Sequence, residues 1–200
     1  MSKTPQSIIR INGYRGTGKL TIARVLEAIL SPKGCLVHNH LLINPADVVL
    51  PRDQPGYQNL RKAIRGAVFT ASSGYPSTRD SVYIFTDFQL SDAVGSATCA
   101  EYLEAARAGG GKLVSVVLAF DEGVNLERLV SAERRAWGKI IDDPKLLKSF
   151  WEGTRIHRLE AGDEVVVVDV DVSRRTPEQA AEEILDHVLK IEERVPILDA

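Results

Sequence analysis

Short runs of β-branched and other apolar residues recur along the chain, each followed by a stretch in which apolar positions return every three or four residues. Ile8 to Asn12 (IIRIN), Cys35 to His38 (CLVH), Val82 to Thr86 (VYIFT), Leu113 to Phe120 (LVSVVLAF) and Glu164 to Val170 (EVVVVDV) are the strand candidates. The richest of them are nearly continuous in apolar residues, the pattern of a strand covered on both faces. Helices are expected between them. Lys19 to Leu30 carries Leu20, Ala23, Leu26, Ala28 and Leu30 and stops before the Pro–Gly break in SPKG. Tyr57 to Ala71, Ser91 to Ala108, Asn125 to Ala132 and Pro144 to Trp151 have the same character. Thr176-Pro177-Glu178 reads as an N-cap followed by proline at the first helical position, opening a helix to about Val195. Strands separated by helices imply right-handed parallel βαβ units. The expected fold is therefore one three-layer α/β domain over residues 1–200, a five-stranded parallel sheet flanked by helices.

Composition narrows this picture without redirecting it. Two hundred residues, 44% apolar and 26% charged, can bury an ordinary globular core. A formal net charge of −2 offers no basic surface for nucleic acid, although a local site can still hold phosphate. Cys35 and Cys99 have no metal-ligand spacing and are expected to be reduced thiols. The start, MSKTPQS, lacks a signal peptide's apolar core, and no run reaches the length of a membrane span. A soluble, cytoplasmic protein is expected.

Chemistry enters between the first strand and the first helix, in RINGYRGTGKLTIARVL. Gly13 to Lys19 spells Gly-x-x-x-x-Gly-Lys. A loop that wraps a polyphosphate must turn its amides inward, through backbone angles that glycine adopts cheaply. Lys19 adds a point charge, and the following helix presents its positive end to the same anion. Gly13, Tyr14, Arg15, Gly16, Thr17, Gly18, Lys19, Leu20 and Thr21 are the expected cradle. Leu20 stands where a magnesium-binding hydroxyl is common, and the hydroxyl arrives one position later at Thr21, rotated by about 100° around a helix.

Asp87 follows an apolar strand at the end where ligands of open α/β sheets gather, and is expected to organise magnesium together with Thr21. Thr86 beside it can reach a phosphate or a water. After the fourth strand, residues 122–143 have the charge of a closing lid: Arg134 and Arg135 before Arg128, with Lys139, and Gly138 as a hinge. The acceptor of a transferred group is expected beyond the second strand, near His38, Asn39 and His40. His40 is the first candidate base, with Asp47 as the fallback. Arg61 and Arg65, four apart on a helix, can share one face toward an anionic acceptor. Arg52, Asp53 and Arg79 fall in turn-rich rim segments.

The loop INGYRGTGKLTIAR, with HNHLLINP, LRKAIR, FTDF and SAERRAWGK, resembles the phosphate-loop kinase-like ATPases related to nucleoside monophosphate kinases. It is closest to the "AAA domain" small kinases and more distantly similar to chloramphenicol phosphotransferase. In adenylate kinase relatives threonine also comes second after the lysine, and magnesium is held largely through water and the nucleotide's own phosphates. The resemblance implies ATP and Mg2+, a small-molecule acceptor, and an adenine pocket near Val172 to Thr176. The chain departs from the family at His38, where an acid usually precedes Asn-His-Leu-Leu. Two alternatives stay open: a nucleotide-binding regulator without transfer, and a hydrolase driving a partner. A GTPase is disfavoured, because no Asn-Lys-x-Asp motif occurs.

Overall fold

The computed structural model describes residues 6–78, 80–121, 123–124 and 153–192. In chain order these form β1 (Gln6–Asn12), α1 (Lys19–Ile29), β2 (Gly34–His38), α2 (Asn39–Val49), α3 (Tyr57–Gly74), β3 (Val82–Asp87), α4 (Ala93–Ala108), β4 (Gly110–Ala119), β5 (Val165–Asp171) and α5 (Pro177–Glu192). Every expected strand is present, shifted by three residues at most. The expected helices 125–132 and 144–151 and the body of the expected lid, with Arg128, Arg134, Arg135, Gly138 and Lys139, lie outside the described residues, as does Arg79.

One sheet holds all five strands in the order β2-β3-β1-β4-β5, and every pairing is parallel. The registers align the strand ends: Asn12 lies between Asp87 and Val117, and His38 lies beside Thr86. Alternation along the strands sorts side chains onto two faces. Ile9, Ile11, Ile84, Val114, Val116 and Val168 pack with Ile22, Ala23 and Leu26 of α1 and Ala180, Ala181 and Ile184 of α5. Ile8, Tyr83, Phe85 and Leu113 pack on the other face with Leu42, Phe69, Tyr102, Ala105 and Ala106 of α2, α3 and α4. This is the three-layer arrangement that the alternating pattern predicts.

The helix α2 is absent from the sequence expectation. Pro45 lies inside it, which argues against a helix, since proline removes one backbone donor and crowds the preceding turn. Buried Leu42 and Ala46, four apart, seat the helix on β2, β3 and α3 regardless. Packing has overridden propensity here. The start of α4 follows the expected logic: the Asp92 carboxylate caps it by accepting from the Gly95 amide at 2.7 Å. Thr176 and Gln179 exchange hydrogen bonds at the head of α5, satisfying its first amides reciprocally.

Candidate functional site

The loop from Gly13 to Gly18 leaves the end of β1 and enters α1. Gly16 (φ 91°) and Gly18 (φ 79°) both lie in the left-handed region, so a side chain at either position is strained. Gly18 is the residue that precedes the first turn of α1, where a Cβ would meet nothing within 4 Å: the space before the helix is open. Thr17 is buried, and its Oγ1 donates to the Tyr14 carbonyl at 2.9 Å, closing the loop from within. Lys19 folds back over it, its Nζ donating to the carbonyls of Gly13 and Tyr14 at 2.6 Å each. Leu20 is half-buried, and Thr21 is exposed.

Behind the loop stands Asn12, fully buried. Its Oδ1 accepts from the Gln89 amide (2.9 Å), and its Nδ2 donates to the carbonyls of Gln89 and His157 (3.0 Å each). Tyr14 Oη donates to the Thr154 carbonyl at 2.7 Å. Around these bonds the segment 154–157 runs beside residues 89–91, with an antiparallel bridge from Leu90 to Ile156 and amide bonds from His157 to Gln89 and Ser91 to Arg155. The chain returning from the expected lid is thereby fastened to the loop and to the turn after β3. Tyr14 also stands edge-on to Phe120 and near Phe88, and the Arg15 guanidinium lies 5.9 Å from the Phe88 ring. Burial, and then the charge of Arg52, lower the Arg15 pKa.

The strand ends separate the expected acid from its neighbours. Thr86 and His38 share the alternation of Ile84 and Leu36, on the α1 face. Asp87 shares that of Tyr83 and Phe85, on the α4 face, and is 2% exposed. Its Oδ1 accepts from the Phe88 amide (2.8 Å) and the Gln89 side-chain amide (2.9 Å), while Oδ2 lies 3.8 Å from Nε of Arg10. Arg10 is fully buried, with its guanidinium 5.4 Å from the Tyr102 ring. For magnesium the donor set is thin, with Thr21 exposed and Asp87 facing a buried cation. An ion here is better suited to ride on phosphates and its own water shell, which Mg2+ sheds reluctantly. Among the described residues no group of three or more His, Cys, Asp or Glu could hold a metal.

On the acceptor side, His38 precedes α2 in an extended conformation and Asn39 opens it, its amide donating to Thr86 Oγ1 at 3.1 Å. The rings of His38 and His40 are 6.2 Å apart. Burial lowers the pKa of His38, with His40 and Arg24 acting in the same direction, so the imidazole is neutral at pH 7; its Nδ1 is buried without a hydrogen-bond partner. His40 is exposed. Asp47 is engaged by Arg52 through Nε (3.0 Å) and Nη2 (2.5 Å) and by the Tyr57 hydroxyl. The Arg52 contact is the chief cause of its depressed pKa. Arg61 lies 5.9 Å from the Tyr57 ring. Arg65 turns inward instead, donating to Glu101 at 2.8 Å and to Thr98 at 3.4 Å, so the expected Arg61–Arg65 pair does not share one open face. Past β5, Asp171 accepts from the Ser173 amide and hydroxyl, Arg175 donates to the Asp171 carbonyl, and the Asp121 amide donates to Ser173 Oγ. The segment expected to border an adenine is thus a tied turn.

Sequence reasoning passed over Arg10, Asn12, Gln89, Ser115 and His157. A signal existed for the first: an arginine inside the apolar run IIRIN has no solvent to reach if both faces are covered.

No family model matches the chain, and no curated protein matches it. Solved structures do. A gluconokinase from Sinorhizobium meliloti 1021 is 18% identical, covers 98% of each chain and superposes with a TM-score of 0.64. A sugar kinase from Janibacter sp. HTCC2649 is 20% identical over 92% of this chain and 95% of its own, with a TM-score of 0.60. A shikimate kinase from Bacteroides thetaiotaomicron is 15% identical over 95% and 98%, at 0.51. Together with the sheet order, these likenesses show that the chain has the fold of the phosphate-loop kinases.

Proposed function

We propose that the protein is an ATP-dependent phosphotransferase acting on a hydroxyl or phosphate group of a small molecule. The observation that carries this reading is the loop at the head of α1. Gly16 and Gly18 take left-handed angles before an open helix start, and Lys19 lies across the loop carbonyls. A triphosphate entering the loop replaces those carbonyls as the partner of the ammonium, while the helix end and inward amides hold its oxygens. Kinase folds among the structural likenesses support the reaction class and leave the acceptor open.

In this reading the acceptor oxygen bonds to the γ-phosphorus as the bond to the β,γ-bridging oxygen breaks, and ADP departs. His38, neutral and with Nδ1 unpartnered, is better suited than exposed His40 to take the hydroxyl proton. Asn39 and Arg61 contribute to holding the acceptor. The like positive charges of Arg15 and Arg52, the latter also paired with Asp47, favour one that bears a negative group. Arg134 and Arg135, outside the described residues, are the candidates for neutralising charge on the transferred phosphoryl group. Magnesium, if bound, would supply charge neutralisation to the transferring phosphate.

Isothermal calorimetry with ATP, with and without Mg2+, tests the nucleotide half. Lys19→Met is expected to weaken ATP binding at least ~10-fold, the loss of a charge-assisted contact of about 1.5–3 kcal/mol. Absence of any purine triphosphate binding by the folded protein refutes it. A screen of sugar acids, sugar phosphates and neutral polyols for ADP release tests the acceptor half. The second reading, nucleotide binding without transfer, draws on the imidazole of His38 in the place of an acid. It is the outcome if ATP binds and no acceptor is phosphorylated.

A further inference from the structure

Beneath α4 the sheet encloses charge that the phosphate site does not use. Among the described residues, most of the buried side-chain nitrogen and oxygen atoms without a hydrogen-bond partner belong to this one place. They are Nε, Nη1 and Nη2 of Arg10, Oδ2 of Asp87, Oγ of Ser115 and Nδ1 of His157. The register explains the grouping. Arg10 lies between Phe85 and Ser115 on adjacent strands, Asp87 is two residues beyond Phe85, and alternation puts all of them on the α4 face. His157 joins from the returning segment, where the Arg10 charge adds to burial in lowering its pKa. Tyr102 and Cys99 of α4 close the roof; burial raises the Cys99 pKa to about 11.

We propose that Asp87 is the internal counter-ion of Arg10 in a closed polar site bridged by water molecules, and that it serves this site rather than a metal ion. The Arg10 Nε to Asp87 Oδ2 separation of 3.8 Å is too long for a direct hydrogen bond, which leaves both atoms with capacity for water. Six buried polar atoms, grouped by the strand register and by the approach of His157 to Arg10, have no hydrogen-bond partner in the protein. A small anion is disfavoured by the adjacent carboxylate and a second cation by the guanidinium, so a neutral donor–acceptor is the species that fits. Oδ1 is already committed to Phe88 and Gln89. The consequence is functional: any magnesium on a bound nucleotide is carried by phosphate and water, without the acid at the end of β3.

Three measurements test this on the 200-residue chain. First, Arg10→Met and Asp87→Leu are each expected to lower the unfolding midpoint, and the double variant carrying both to lose less than the sum, because each single change strands a buried charge or its unpaired partner. Additive losses overturn the pairing. Second, a near-atomic crystal structure is expected to show ordered water within hydrogen-bond reach of Arg10 and of Asp87 or Ser115. A bromide peak beside Arg10, or a carboxylate turned toward bound nucleotide, overturns the proposal. Third, binding of Mn2+ in the presence of ATP, read by electron paramagnetic resonance, is expected to be the same for Asp87→Asn as for the wild type. A loss of about tenfold or more, the usual cost of removing a group that supports a metal, overturns it. If the wild type binds no nucleotide, the phosphotransferase reading fails by itself, and the first two measurements still decide this one.

Discussion

Asn12 joins three segments that are far apart in sequence: the end of β1, the turn at Gln89 and the return at His157. Truncation to alanine strands the Gln89 amide and the His157 carbonyl, each worth about 1–3 kcal/mol when left unpaired, while the Gln89 carbonyl keeps the His157 amide. Asn12→Ala is therefore expected to cost about 3 kcal/mol in urea unfolding, and to weaken nucleotide binding, since Gly13 follows directly. Two histidines add a pH dependence. The pKa values of His38 and His157 are both lowered below the ordinary 6.5, chiefly by burial. The folded state thus binds fewer protons than the unfolded one in this range. Stability is full above pH 6.5 and declines as pH falls through the lowered folded values. Replacing both by glutamine should flatten this decline in chemical-denaturation curves taken from pH 7 to pH 5, and an unchanged slope would rule these two histidines out as its source.

At the scale of elements, α4 is constrained at its start and along its length. A Cβ on Gly95 would come within 1.9 Å of the Leu90 carbonyl oxygen, a collision with backbone that no rotamer relieves. Gly95→Ala is expected to destabilise by about 3 kcal/mol or more, measured by thermal unfolding. Across from it, Arg65 of α3 reaches Glu101 of α4, with side chains 7% and 17% exposed. Breaking such a pair leaves an uncompensated charge, so Glu101→Gln should cost about 3 kcal/mol while leaving ATP affinity unchanged in calorimetry. The elements themselves were mostly legible, because a strand covered on both faces and an amphipathic helix write different periods into the chain. The Arg61–Arg65 spacing was legible too, but the identity of a partner on another helix was not. Spacing along one helix says which residues share a face and nothing about what that face meets. In α2 the local signal was misleading, as Pro45 argues against a helix that tertiary contacts hold in place.

For the whole molecule, the parallel sheet followed from alternation of strands and helices, and the glycine turn at the head of α1 from the coincidence of glycines, lysine and helix start. The order β2-β3-β1-β4-β5 was not written in any local pattern, and with it went the neighbours of every strand end. That is why Asp87 was readable as an acid at a strand terminus while its partner, Arg10, was not: the two meet only across the β1–β3 register. The same order bears on how the chain assembles. β1 pairs with β3 and β4 and never with β2, its nearest strand in sequence. During synthesis the first strand must therefore wait, with both hydrogen-bonding edges unpaired and both apolar faces uncovered, until chain some seventy and then a hundred residues downstream has emerged. A fragment ending at Gly109, before β4, is expected to be retained by chaperones or to precipitate, and to bind no nucleotide, whereas ribosome-tethered chains that expose β4 become resistant to protease around β1. Late closure of the central strand makes the shaping of the glycine turn before α1 a consequence of the fourth strand's arrival, long after its own glycines have been translated.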